Sequence, residues 1–455
     1  MLAPLVLVLL AAPPAAGPTP AQMLLGSALA DGNTLATVTE LADQVGPRLT
    51  GSEGAAEAVR WSVGRFQALG VPVRLEPVKA PRWVRGEERG EVLAGPGHRA
   101  WPLALTALGG SAPTPPGGVE AEVVEVTSLA ALETTPVEGK IVYFHHNMST
   151  AEGYGEASEL RSRGPSKASA RGAVATMVRS AATASLRTPH TGAAGFRNGA
   201  KPIPAVAIAI EDSEALHRWL AAGPVRVRLV LGCRTEPDVD SANVVAEIRG
   251  REKPAEVVLL GAHLDSWDLA VGAQDDGTGV AMVLETARLI ARMKPGPRRT
   301  VRFVLFMNEE NGSVGSRGYA EAHGGEVHVA ALESDAGAGR PLRVLVRGGE
   351  GAESFLAPLL RPLAVLGMDT VPRKSTQYGA DLHNLARKRG LPTVHLSQES
   401  THYFDVHHSA ADTLDKIDPA ALAQSTAATA WLTWSLADAA GTLPPPPVEP
   451  PPAER

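Results

Sequence analysis

One stretch, Gly261 to Glu310, constrains the fold more than any other part of the chain. Val257 to Leu260 is an apolar run of buried-strand character, so His263 falls at its carboxyl end. Thr278 to Met293 carries apolar residues at helical spacing, with Asp275 and Asp276 beside its start. Thr300 to Met307 reads as a second strand that delivers Glu309 and Glu310. Strand, helix, strand with polar side chains at the strand ends is the grammar of an open α/β sheet, whose ligand crevice lies at those ends.

Residue chemistry narrows the crevice further. A hydrolytic zinc site takes imidazole and carboxylate ligands and keeps a position open for water. A two-metal site also needs a carboxylate able to bridge. His263 supplies imidazole, and Asp275 and Glu310 are candidate ligands. Asp265, two residues along an extended backbone, lies on the same side as His263 and is placed to hold its far ring nitrogen. Glu309 stands beside the metals without being an obvious ligand, as a general base requires. Singly these are ordinary features: a His-x-Asp surface pair, an Asp-Asp-Gly turn, a solvated Glu-Glu. Their succession at consecutive strand ends sets them apart.

At 455 residues the chain exceeds one core. A net charge of −6 with no dense basic patch excludes nucleic acid as the main partner. The single cysteine, Cys233, rules out internal disulfides and thiolate zinc sites and is expected to be apolar filler. Residues 1–16 hold about ten apolar residues, too few to span a bilayer, and suit a signal peptide for secretion or periplasmic export, although a basic start is missing. No other stretch reads as a membrane span.

Residues 17–108 are expected to form the first part of a catalytic domain, with helices over Thr34 to Val45 and Glu53 to Leu69 separated by a glycine-rich turn, Gly46 to Ser52. The Gly/Pro run 109–118 marks a boundary. Residues 109–237 then read as a β-rich insert, and 238–441 resume the catalytic domain. In that second part Val327 to Leu332 is a strand presenting Glu333 and Asp335, and Pro392 to Leu396 is a last strand. The paired His407-His408 lie in a loop before a helix from Pro419. Residues 442–455, rich in proline, are expected to be a disordered tail.

Five motifs in order, His263-Leu-Asp265-Ser-Trp-Asp268, Asp275-Asp276-Gly, Glu309-Glu310, Glu333-Ser-Asp335 and His407-His408-Ser-x-x-Asp412-Thr, resemble the di-zinc aminopeptidase and glutamate carboxypeptidase superfamily. Thr188-Pro-His190-Thr-Gly192 adds similarity to its plasma glutamate carboxypeptidase branch, and Glu138-Gly-Lys-Ile-Val with later insert motifs resembles a protease-associated domain. The resemblance implies an α/β fold with a mixed central sheet flanked by helices and two Zn2+ per chain. It implies that Asp275 bridges them, that His263 and Asp335 complete one metal and Glu310 and His408 the other, and that the Asp275–Asp276 peptide is cis. Glu309 would be the base acting on a metal-bridging water, Asp265 the outer partner of His263, and His407 the group stabilising the tetrahedral intermediate. Tyr378, Asp381, Tyr403, Phe404 and His190 are the implied substrate contacts, though Asp381 also suits a helix cap. The expected function is a secreted exopeptidase acting on dipeptides or short peptides. A homodimer is compatible with it. The alternatives are a catalytically silent binding homologue and a glutaminyl cyclase-like acyltransferase.

Overall fold

The computed structural model describes residues 17–31, 33–95, 97–197 and 199–448. The expected signal peptide lies outside them. Two eight-stranded mixed sheets organise the chain. The central sheet runs in the order Val73–Val84, Arg234–Ile248, Arg299–Phe306, Lys253–His263, Val327–Glu333, Thr393–Gln398, Pro341–Arg347, Asp369–Lys374. Its middle is parallel: Lys253–His263 pairs in that sense with both neighbours, and Val327–Glu333 with Thr393–Gln398. Parallel strands must be covered on both faces. Arg299–Phe306 is accordingly buried at every position.

On one face Val258, Leu260, Phe303 and Leu305 pack against the helices Thr278–Arg292 and Pro419–Asp438. The opposite face sets Leu259, Val304 and Phe306 against Tyr319 and Ala320 of the helix Val314–His323 and Leu385 of His383–Arg389. Thr278–Arg292 is buried on all sides over Thr278 to Ile290 because helices lie against its outer face as well. It is a core helix rather than an amphipathic cover. No helix among the described residues is long and apolar enough to cross a membrane.

The second sheet runs Trp101–Pro102, Glu88–Val92, Arg226–Leu231, Val119–Val126, Ile141–Phe144, Ala175–Arg179, Ala205–Ile208, Leu105–Ala107. It therefore takes in strands from Glu88 onward, which corrects the boundary expected at 109. The Gly/Pro run 109–118 is a loop within this sheet, since Thr114 N donates to the Leu231 carbonyl and Gly118 turns back toward Arg226–Leu231. Cys233 is buried in this sheet's core, as apolar filler would be.

A second correction concerns the tail. Leu443 is buried against the central core, and Gly349 N donates to the Pro444 carbonyl at 2.8 Å. The start of the proline run is thus tied down by an apolar anchor and a backbone hydrogen bond.

Candidate functional site

The polar side chains converge at the carboxyl ends of the central parallel strands. His263 ends its strand with Nδ1 2.9 Å from the Asp265 carbonyl oxygen. A carbonyl can only accept, so Nδ1 donates to it and Nε2 is left to face the carboxylates. That Nε2 lies 3.1 Å from Asp275 Oδ1 and 3.7 Å from Asp335 Oδ1. His408 Nδ1 lies 3.3 Å from both the Thr191 carbonyl and Arg161 Nη1, and Nε2 lies 3.2 Å from Asp275 Oδ2 and 3.0 Å from Glu310 Oε2. Asp275 thus directs one oxygen at each of two histidine–carboxylate pairs.

The loop holding Asp275 is built from unusual backbone. Its peptide to Asp276 is cis. Asp412 Oδ1 accepts from Gln274 N at 2.7 Å and Oδ2 from Asp275 N at 3.1 Å. Asp276 Oδ1 accepts from Gly279 N at 3.0 Å, and a Cβ on Gly279 would come within 2.1 Å of the Ser334 carbonyl. Glycine is therefore required where the helix Thr278–Arg292 starts against the next strand end.

Asp265 behaves differently from its sequence reading. Its carbonyl, rather than its carboxylate, takes the His263 ring proton; Oδ1 is 3.9 Å from that nitrogen. The carboxylate instead accepts from Asn308 N at 2.8 Å, Glu309 N at 3.1 Å and Thr50 Oγ1 at 2.7 Å. It clamps the turn that carries Glu309 and Glu310. Asn308 occupies that turn at φ 72°, a region asparagine tolerates better than alanine.

Electrostatics set these groups apart. Burial, with Asp335 and Glu310 adding to it, holds Glu309 well above the usual carboxylate range. Burial acts against ionisation of Asp275 too, but the His263 and His408 imidazoles beside it hold it well below. Asp412 is pushed up to about 7 by burial.

Sequence reasoning missed Arg48. It is fully buried and donates to three carbonyls of the site's loops: Leu264 at 2.7 Å, Val271 at 2.5 Å and Gly272 at 2.9 Å. Its partners lie more than 215 residues away, and the only local signal was a glycine-rich turn. Trp267 was read as part of a motif; its ring enters the second sheet's core and stands edge-on to His408 at 5.9 Å.

The expected substrate contacts divide. Tyr403 and Phe404 line a cavity of about 420 Å³ beside Asp335, together with Glu333, Gln377 and His395. Tyr378 and Asp381 do not line it, although Gly379 and Ala380 between them do. Tyr378 stacks under the Arg347 guanidinium at 4.0 Å. Asp381 is buried and caps nothing, since its helix starts after Leu382 without a side-chain cap; its N–H donates to Glu333 Oε1 at 3.0 Å. His190 is 1% exposed and buried beneath the His407–His408 loop, which Thr191 N grips through the His408 carbonyl at 2.8 Å. It does not line the cavity. His407 stacks on His408 at 3.6 Å, with Nε2 3.4 Å from Tyr154 Oη and 3.7 Å from Asp275 Oδ2.

The donor set fits metal ions. Asp275 Oδ2 and Glu310 Oε1 are buried without a hydrogen-bond partner among the described residues. Each Nε2 meets a carboxylate oxygen, an arrangement that a cation lying between them would satisfy. Ligand atoms of His263, Asp275 and Asp335 fall within 4.8 Å of one another, as do those of Asp275, His407 and His408. Imidazole plus carboxylate without sulfur suits zinc and similar divalent ions.

Residues 243–433 match the model of Peptidase family M28. The chain is 36% identical over 412 residues to carboxypeptidase Q from Homo sapiens, covering 89% of this chain and 85% of that protein. Among solved structures, a peptidase M28 precursor from Shewanella amazonensis superposes with a TM-score of 0.89 at 36% identity, covering 94% of this chain and 98% of that one. A zinc aminopeptidase from Bacillus subtilis shares the fold at a TM-score of 0.62 and 21% identity, over 88% and 93% of the two chains. On this evidence of sequence and fold together, the chain belongs to peptidase family M28.

Proposed function

We propose that the protein is a zinc-dependent exopeptidase that hydrolyses dipeptides or short peptides. The observation that carries the reading is Asp275, whose two oxygens each face a separate pair, His263 with Asp335 and His408 with Glu310. Those five residues would hold two zinc ions, a metal supported by the donor chemistry and by the zinc aminopeptidase of the same fold. Bound there, the ions supply a water acidic enough to attack near neutral pH and polarise the scissile carbonyl.

The rest falls to the chain's own groups. Glu309, held by the Asp265 clamp, accepts the proton from the attacking water and passes it to the leaving amine nitrogen. Its raised proton affinity suits both halves of that transfer. His407, backed by Tyr154, donates to the oxygen that becomes negative in the tetrahedral intermediate. Tyr403 and Phe404 form the apolar wall of a cavity whose size supports a small substrate over a long chain. The apolar N-terminal run supports export.

The test is a dipeptide library incubated with zinc-loaded protein, alongside amino-blocked and carboxyl-blocked controls, read by mass spectrometry. Cleavage of free dipeptides with loss on blocking one terminus is expected. No cleavage by protein carrying its full metal complement would overturn the reading and favour a silent binding homologue.

A further inference from the structure

The second sheet carries its own convergence of donors, apart from the central site. Glu125 sits near the end of Val119–Val126, and His145 follows the end of Ile141–Phe144. These strands are parallel, with Glu125 opposite Tyr143. Side chains two apart share a strand face, so Glu125, Tyr143 and His145 project the same way. The helix Ile210–Ala222 covers that face, with the Tyr143 hydroxyl donating to the Ser213 carbonyl at 3.1 Å. Glu214 and His217, three apart, lie on one side of that helix.

The four side chains meet. His217 Nδ1 is 2.8 Å from Glu125 Oε2. His145 Nδ1 is 3.6 Å from Glu125 Oε1, and its Nε2 is 3.5 Å from Glu214 Oε1. The two imidazoles tilt toward each other with centroids 4.4 Å apart. Ligand atoms of Glu125, His145 and His217 all lie within 4.8 Å of one another. The side chain of His217 is 45% exposed, which leaves an entry path. Arg179 Nε stands 3.7 Å from Glu214, so that carboxylate is shared and is the weakest donor of the four.

We propose that Glu125, His145 and His217 form an accessory binding site for a divalent transition metal, with zinc the probe of choice. Two imidazoles and one carboxylate with open positions match a His2Glu donor set. Calcium and magnesium, which prefer oxygen, are poor competitors for it.

Full-length protein and the double variant H145A/H217A are dialysed against the same zinc-buffered solution, and zinc per chain is counted by elemental mass spectrometry. The variant is expected to carry one zinc fewer, with dipeptide turnover unchanged. Because the reading is a difference, it stands whatever the central site holds. Equal zinc in both proteins overturns the proposal. Glu125→Gln keeps side-chain volume should the double variant fail to fold; it is expected to weaken the extra zinc about 10- to 100-fold. Unweakened binding in that variant overturns it as well.

Discussion

The two donor clusters occupy equivalent places, the carboxyl ends of parallel strands, yet their surroundings differ. In the central cluster the side chains of His263, Asp275 and Glu310 are 1%, 6% and 2% exposed. Around them Asp276, Glu309 and Asp335 add further carboxylates, and Arg48 is committed to backbone carbonyls. In the second sheet each carboxylate already has a protein partner, His217 for Glu125 and Arg179 for Glu214. Crowded, buried carboxylates outnumbering their imidazole partners call for cations, whereas partly exposed, paired ones accommodate them. Position on a sheet makes a site available; the charge left over decides how strongly it is required.

The sharpest way to break this comparison is to remove a group that serves chemistry alone. Glu309→Gln is expected to lower turnover by about 10²- to 10⁴-fold while central metal content stays intact, read by kinetics beside elemental analysis. Unchanged turnover would reject the base assignment. Chelation comes next. Stripping the central ions should abolish activity and cost about 4 kcal/mol of stability where metal had been present at 1,000 times its dissociation constant. Calorimetry would show the loss as a lower melting temperature, restored by zinc; an unmoved transition would mean that the buried carboxylates need no cation. Asp265→Asn tests the clamp and should cost roughly 10- to 100-fold in turnover, since one amide cannot accept from Thr50, Asn308 and Glu309 as the carboxylate does.

Two smaller effects sharpen the contrast from outside the clusters. A Cβ on Gly109 would come within 2.2 Å of the Trp267 ring, the side chain that joins the second sheet's core to His408. Gly109→Ala should destabilise by about 1–3 kcal/mol and reduce turnover with metals retained, seen by denaturant titration and kinetics. Finally, His328 lies near the opposite end of the Val327–Glu333 strand, accepting from the Tyr319 hydroxyl at 2.9 Å. Burial, reinforced by Arg302, depresses it from 6.5 to about 4. Below pH 6.5 the unfolded chain takes up a proton that the folded one refuses, so stability falls as pH drops from 6.5 toward 4. His328→Gln should flatten that slope in thermal scans across the window.

Much of this architecture was legible from sequence because buried parallel strands are written as plain apolar runs. Val257 to Leu260 and Thr300 to Met307 fixed where His263 and Glu310 would stand, and local order placed Asp275 at a helix start. What escaped was long-range support. Arg48 and Thr50 reach partners more than 200 residues away, and nothing in a turn such as Gly46 to Ser52 foretells that reach. The sheet boundary slipped because Glu88–Val92, Glu-Arg-Gly-Glu-Val, carries no apolar alternation and pairs with Arg226–Leu231 only in three dimensions. His145 and His217 escaped because 72 residues separate them, each unremarkable alone.

The grip of Thr191 on the His408 carbonyl bears on how the donor set is kept whole. His408 lies 217 residues beyond the loop that steadies it. The contact joins a loop of the second sheet to the residue whose Nε2 faces both Asp275 and Glu310. On the proposed reading, a Thr191 loop displaced from His408 would leave the central donor set one member short.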